Sequence, residues 1–371
     1  MHANNKSKMA LKGKLLSKKE IDFLYTYLNS SSPTSYEMPG QQIWLEYLKP
    51  LVDTYEVDNY GSAYGVINAD ADYKIVIEAH VDEISWYVKY IDDDGYIYVL
   101  KNGGSDVLIA PSQRANFHTK NGFVKGVFGW PAVHLRTSKS PSPNLNNIFI
   151  DVGASSKKEV IEMGINVGTV VTFDADLMPL NDGKLYAGRA LDNRIGGFII
   201  AQVARLLKEN NKKLPFGLYI VNAVMEEVGL RGAQMMAHNI KPDVAIITDV
   251  GHDTCTPMVE KKNEGEFKCG KGPIVTYGPA VQNNLLQLII DTADKNNIPY
   301  QLEAVSRSTG TDTDAFAFSN AGVVSALISM PLRYMHTTVE TINIEDVENL
   351  IRLYYHTLLN IEANHNFKYF S

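Results

Sequence analysis

A chain of 371 residues, 45% of them hydrophobic and 21% charged, has room for about two to two and a half domains and the ordinary composition of a folded globular protein, which excludes disorder, collagen and coiled coil. Its 35 Lys and Arg against 42 Asp and Glu leave a formal charge of −7, without the basic excess that nucleic-acid binders carry. No apolar run approaches the roughly 18 residues needed to span a bilayer. The start, Met1 to Lys19, places Lys6, Lys8, Lys12 and Lys14 around no apolar core, so a cytoplasmic protein with no membrane partner is expected.

Ser17-Lys18-Lys19-Glu20 is a capping box, and Ile21, Leu24 and Leu28 follow at helical spacing, which predicts a first helix ending before the Ser30 to Ser35 breakers. A second amphipathic segment carries Ile43, Trp44, Tyr47, Leu48 and Leu51. Lys74 to Ala79 is a short, nearly continuous apolar run that reads as a buried strand ending at His80. The period then changes to two. Trp86, Val88 and Tyr90 alternate up to Asp94-Gly95, and Tyr96, Tyr98 and Leu100 alternate away from it, the pattern of a hairpin with a primed turn. Asn121-Gly122 and Asp182-Gly183 repeat that signal, with strand-like segments at 147–152 and 170–174 and one helical stretch at 156–164.

From about residue 186 strands and helices alternate again, as in an α/β layered domain. Helices are predicted at 194–210, 230–239, 281–296, 313–320 and 344–361, and strands at 218–224, 244–248, 300–305 and 323–328. A β-rich block flanked by α/β sequence on both sides is most simply an insertion. We therefore expect a discontinuous α/β body, residues 1–83 and 184–371, interrupted by a small β domain at 84–183.

Chemistry-bearing side chains collect where α/β folds place their sites, at strand ends and helix starts. His80 and Asp82 close the first buried strand, and their i, i+2 spacing lets the carboxylate orient the imidazole. Asp192 stands before the helix at 194–210, where it could be a ligand or an ordinary N-cap. Glu226-Glu227 end an apolar strand, and two adjacent acids there repel each other unless a cation neutralises them. In a hydrolase one of the pair can bind metal while the other takes a proton from water. Asp249 ends the next strand, and His336 follows the last one. His252, three residues past Asp249, is the rival to His336. The two cysteines, Cys255 and Cys269, form no CxxC pair and no nucleophile motif, so any metal falls to His, Asp and Glu. Two imidazoles with three carboxylates suit two borderline divalent ions such as Zn²⁺, Co²⁺ or Mn²⁺.

The ordered motifs Ala79-His80-Val81-Asp82-Glu83-Ile84, Ala190-Leu191-Asp192-Asn193-Arg194-Ile195-Gly196, Met225-Glu226-Glu227-Val228-Gly229, Ile247-Thr248-Asp249, Gly310-Thr311-Asp312 and Pro331-Leu332-Arg333-Tyr334-Met335-His336 resemble those of the M42 dinuclear metallo-aminopeptidases, from about residue 11 to 362. The resemblance implies a layered α/β/α zinc-peptidase-like body with an inserted, barrel-like dimerisation domain. It implies that His80, Asp192 and Asp249 hold one ion and Asp192, Glu227 and His336 the other, with Asp192 bridging. Glu226 would be the general base and Asp82 the support of His80. It further implies peptide substrates and dimers that assemble into tetrahedral dodecamers. Two stretches depart from the family: Ser85-Trp86-Tyr87 stands where a glycine is usual, and the loop 250–255, Val250-Gly251-His252-Asp253-Thr254-Cys255, differs from the usual threonine-rich version.

A carboxypeptidase or deacylase on the same scaffold is the nearest alternative, and a glycoside hydrolase a more distant one, because the latter needs two separated carboxyl groups around a sugar bond. A metal-binding shell without turnover would have no use for a spare carboxylate beside its ligands. Arg333 could contact an acidic substrate side chain or serve in a structural ion pair.

Overall fold

The computed structural model describes residues 11 and 13–370; Met1 to Ala10, Lys12 and Ser371 lie outside them, and with them His2 and most of the lysine-rich start. The capping box holds: Lys19 N donates to Ser17 Oγ at 3.2 Å and Ser17 N to Glu20 Oε2 at 2.9 Å, opening α1 (Lys18–Asn29). Then come α2 (Met38–Leu48) and the strands β1 (Thr54–Val57), β2 (Ala63–Ile67) and β3 (Lys74–His80). The next strands are β4 (Ser85–Ile91), β5 (Ile97–Asn102), β6 (Arg114–Thr119), β7 (Gly122–Gly129), β8 (Phe149–Asp151) and, after α3 (Lys157–Glu162), β9 (Val170–Phe173). A hairpin of β10 (Met178–Leu180) and β11 (Leu185–Gly188) precedes α4 (Leu191–Glu209). The remainder runs β12 (Gly217–Ala223), α5 (Arg231–Ile240), β13 (Val244–His252), α6 (Lys261–Glu264), β14 (Ile274–Tyr277), α7 (Asn283–Asn296), β15 (Gln301–Ala304), α8 (Asp312–Ala317), β16 (Val324–Leu332), β17 (Glu340–Asn343) and α9 (Ile344–Asn360).

Eight strands form one mixed sheet in the order β1-β2-β12-β3-β13-β16-β14-β15. Its centre, β12-β3-β13-β16, is parallel, and these strands are apolar on both faces because helices cover both. Helices α1, α2 and α9 pack on α4 and α7 packs on α9, while α5 and α8 pack together against β12, β13 and β16. The layered α/β/α body expected from the sequence is present. The central strands β13 and β16 run four residues past their expected ends, paired together as far as His252 and Leu332. Four short strands, β1, β2, β14 and β17, had no apolar alternation long enough to signal them.

Strands β4 to β9 close into a six-stranded barrel in the order β4-β5-β8-β7-β6-β9. Trp86, Val88, Ile97, Phe117, Phe128, Ile150 and Val171 fill it as a core separate from that of the main sheet. The bulk of Trp86, which departs from the family pattern, points into this core against Phe128 and Phe173. The hairpin at Asp94-Gly95 forms, with Trp86 opposite Lys101, but its turn is not primed. Only Gly95 has a positive φ, 91°, and Asp92 N donates to Tyr96 O at 3.0 Å across a three-residue loop. Glycine takes the single left-handed position and spares Asp93 and Asp94 the steric cost. Successive left-handed residues sit instead at Asn181, Asp182 and Gly183, φ 48°, 54° and 77°, in the four-residue loop between Leu180 and Leu185. That hairpin leaves the barrel and pairs with β17.

Candidate metal centre

The register of the parallel strands gathers the site. Ala223 of β12 lies beside His80 of β3, so the Met225-Glu226-Glu227 turn emerges over that histidine. On the other side Ile247 of β13 pairs with Glu78, which brings Asp249, two residues on, level with His80. Asp192 approaches from the start of α4. Its backbone there is not helical (φ −79°, ψ 112°), and the N-cap position belongs to Ala190, so the capping alternative does not hold. His336 comes from the turn after β16.

These side chains converge. His80 Nε2 lies 3.3 Å from Asp192 Oδ1, 3.8 Å from Asp249 Oδ1 and 3.9 Å from Glu226 Oε2. His336 Nε2 lies 3.3 Å from Asp192 Oδ2 and 3.4 Å from Glu227 Oε1. Two triads result, His80-Asp192-Asp249 and Asp192-Glu227-His336, and in each the potential ligand atoms lie within 4.8 Å of one another. The two oxygens of Asp192 face one histidine each. An all-nitrogen-and-oxygen donor set of this charge fits divalent cations of the Zn²⁺, Co²⁺ and Mn²⁺ group.

Asp82 reaches further than the sequence suggested. Its Oδ1 lies 3.3 Å from His80 Nδ1 and accepts Glu226 N at 3.0 Å, while Oδ2 accepts Glu227 N at 3.2 Å and Thr34 Oγ1 at 2.9 Å. One buried carboxylate thus orients the imidazole and the turn that carries both glutamates. Glu340 was missed as a functional residue, because a single acid in a β-like stretch carries no spacing signal. It is buried, and its two oxygens accept His336 N at 2.8 Å and Asp192 N at 3.0 Å. The backbone is left-handed at Ala190, Met225, Leu230, Tyr334 and His336, φ 54° to 62°, conformations that non-glycine residues adopt at a cost and that collect here around the ligands.

The electrostatics are those of an acid cluster awaiting positive charge. Burial, with Asp249, Asp312 and Glu227 nearby, pushes Glu226 up to about 10 against the pull of His80. Burial and Asp192 raise Asp249 to about 7. Burial alone would lower His336, but its hydrogen bonds to Asp192 and Glu227 outweigh that and hold it at about 11. His80 is likewise held above its usual range, against its burial, by Asp192 and Asp82. Without a bound cation, protonation of the two imidazoles would balance these acids.

The centre lies at the floor of a cleft of about 640 Å³, lined further by Gly104 of the barrel and by Glu303, Thr309, Asp314 and Met335. Of the other candidates, His252 lines the cleft but is exposed and stands in neither triad. Arg333 is an ion-pair residue: its Nε lies 2.9 Å from Asp253 Oδ2, and it is not among the cleft residues. Cys255 and Cys269 are free thiols; burial pushes the Cys269 thiol up, which keeps it protonated and disfavours it as a nucleophile.

Residues 61–353 match the family described as M42 glutamyl aminopeptidase. The chain belongs to that family. The M42 assignment also agrees with individual relatives. The chain is 35% identical over 332 residues to the lysyl aminopeptidase of Pyrococcus furiosus, an alignment covering 88% of this chain and 93% of the relative. Its fold superposes with a TM-score of 0.88 on a TET aminopeptidase from a marine sediment Thaumarchaeota archaeon, at 29% identity over 93% of this chain and 98% of that one. It superposes with a TM-score of 0.81 on the TET1 peptidase of Pyrococcus horikoshii, at 27% identity over 92% and 100%, a peptidase that can assemble into a tetrahedron or a large octahedral shell. Among the described residues of this M42 peptidase no helix is long and apolar enough to cross a membrane.

Proposed function

We propose that this M42 peptidase is a metal-dependent aminopeptidase that releases N-terminal residues from peptides through a dinuclear centre. His80, Asp192 and Asp249 hold one ion and Asp192, Glu227 and His336 the other, with Asp192 shared. When bound, two divalent cations supply Lewis acidity toward the scissile carbonyl and lower the pKa of an attacking water. Glu226, which belongs to neither triad yet lies beside His80, accepts the proton of that water and returns it to the leaving amine. Asp82 keeps His80 and the glutamate turn in register for that transfer. Among the described residues the cleft lining holds carboxylates and no lysine or arginine, which suits the ammonium of a free peptide N-terminus.

The observation that carries this reading is the pair of triads sharing Asp192 with a spare carboxylate alongside. Zn²⁺ or Co²⁺, and Mn²⁺ as a third, fit the donors. We further propose that residues 84–183 act as an inserted dimerisation domain within the body formed by 1–83 and 184–371. Dimers built through it assemble into a tetrahedral dodecamer; Phe123, Val133 and Leu135 offer exposed apolar surface on that segment. A reducing cytoplasm suits the two free thiols. Glu226→Gln tests the mechanism. It should keep both ions and lose about 10²- to 10⁴-fold in kcat, whereas an undiminished kcat would remove Glu226 from the role.

A further inference from the structure

The barrel reaches into the metal centre just after β5. Strand β5 ends at Asn102, and the next two residues, Gly103 and Gly104, lie directly against the Glu227 and His336 half of the ligand set. A Cβ on Gly104 would sit 2.4 Å from His336 Nδ1 and 2.5 Å from its Cε1. A Cβ on Gly103 would meet Glu227 Cβ at 3.1 Å and its Oε2 at 3.4 Å. The imidazole is therefore bounded by bare backbone on its Nδ1 edge while its Nε2 faces Asp192 and Glu227.

The segment is pinned on both sides. Asn102 Nδ2 donates to Thr34 O and to Ser85 Oγ, each at 2.8 Å, and Ser105 Oγ donates to Ser85 O at 2.6 Å. Thr34 in turn gives its hydroxyl to Asp82, the carboxylate that orients His80. A continuous set of hydrogen bonds thus runs from the support of one triad to the wall of the other. Asn102, Thr34 and Ser105 are buried, so these bonds are shielded from competing water.

We propose that Asn102–Ser105 is a positioning element of the metal centre, through which the barrel seats His336 and Glu227 to hold the second ion. The proposal rests on the dinuclear reading above. The loose half of the ligand set needs it most: His336 stands on a turn and is 32% exposed at its side chain, whereas His80 is fixed in a buried strand. Without the glycine wall the imidazole has room to swing on its turn; with a larger residue there it is displaced.

Gly104→Ala separates this role from backbone strain, because Gly104 does not have a positive φ and alanine can adopt its conformation. In the full chain, metal content after dialysis and calorimetric titration of the metal-free protein with Zn²⁺ give the readout. Wild type should bind two ions, and Gly104→Ala should retain about one, with the weaker ion bound some 10- to 100-fold less tightly. Adding excess Zn²⁺ should restore much of the lost turnover. Gly122→Ala, at a barrel hairpin where φ is 107° and nothing lies within 4 Å, strains the barrel without touching any ligand residue and should keep both ions. Should Gly104→Ala fail to fold, Asn102→Ala removes only the tether and should weaken the second ion severalfold. Two tightly held ions in the segment variants, or equal ion loss in Gly122→Ala, would overturn the proposal alone. A wild-type protein that never binds two ions would overturn the dinuclear reading itself, and this inference with it.

Discussion

The two halves of the candidate metal centre are built differently. In the His80-Asp192-Asp249 half, His80 ends β3 and Asp249 stands within β13, both fixed by strand register, and Asp192 joins them from the start of α4; all three are buried. The Asp192-Glu227-His336 half is partly exposed and hangs from turns, with left-handed backbone at Met225, Tyr334 and His336. Strand ends give rigid ligand positions almost without cost, since the sheet is needed anyway. Turns must be held by neighbours, and here the neighbours are Asp82, Glu340 and the glycine wall of the barrel. We expect the first half to bind its ion tightly and the second to be the exchangeable one.

The largest effect falls on the residue the halves share. Asp192→Asn keeps the shape but withdraws the charge common to both triads, and both ions should be lost with activity falling to background; metal analysis alongside kcat checks it. Retention of either ion at wild-type affinity would break the bridge. Next, His336→Ala should remove one ion and leave the other, whereas His80→Ala also leaves Asp82 and Asp249 without their partner and should cost more in melting temperature. Equal metal loss and equal destabilisation would erase the distinction between the halves.

A smaller effect is expected at Glu340→Gln. Only one oxygen then remains for the two N–H groups of Asp192 and His336, so one buried donor is orphaned at about 1–3 kcal/mol. The second ion should weaken by about 10- to 100-fold while the first changes little, measured by titration of the apo protein.

The smallest effect lies in the barrel. Burial lowers His118 to about 4 from its ordinary 6.5, so the fold favours the neutral ring, whose Nε2 lies 3.0 Å from Thr172 Oγ1. A group with a depressed folded pKa contributes stability above its unfolded pKa and loses it as pH falls through the folded one. Between about pH 6.5 and pH 4 the barrel should therefore lose about 1–2 kcal/mol, allowing for a ring that is partly exposed. His118→Phe should flatten that part of the melting-temperature profile, and an unchanged profile would assign the slope elsewhere.

The same contrast explains what the sequence made legible. Ligands on strand ends announce themselves, because a continuous apolar run such as Lys74 to Ala79 must stop somewhere and stops at His80. The capping box of Ser17 and the Glu226-Glu227 pair are equally local signals. Glu340 and Gly104 are not, since Glu340 ties nearby His336 to distant Asp192 and Gly104 meets His336 across the fold, so each owes its meaning to tertiary placement. The short strands β1, β2, β14 and β17 draw their stability from partners in the sheet rather than from their own pattern. The turn at Asp94-Gly95 was misread for a related reason: the dipeptide allows two loop lengths, and the spacing of the paired strands chose the longer.

The most direct test of the account is a titration. Metal-free protein would be reloaded with Zn²⁺, Co²⁺ or Mn²⁺ while bound ions per chain and hydrolysis of free and N-acetylated aminoacyl anilides are followed together. The account predicts two ions per chain, no turnover before loading, and cleavage confined to the free N-terminus. Full activity in the stripped protein, or saturation at a single ion, would contradict it.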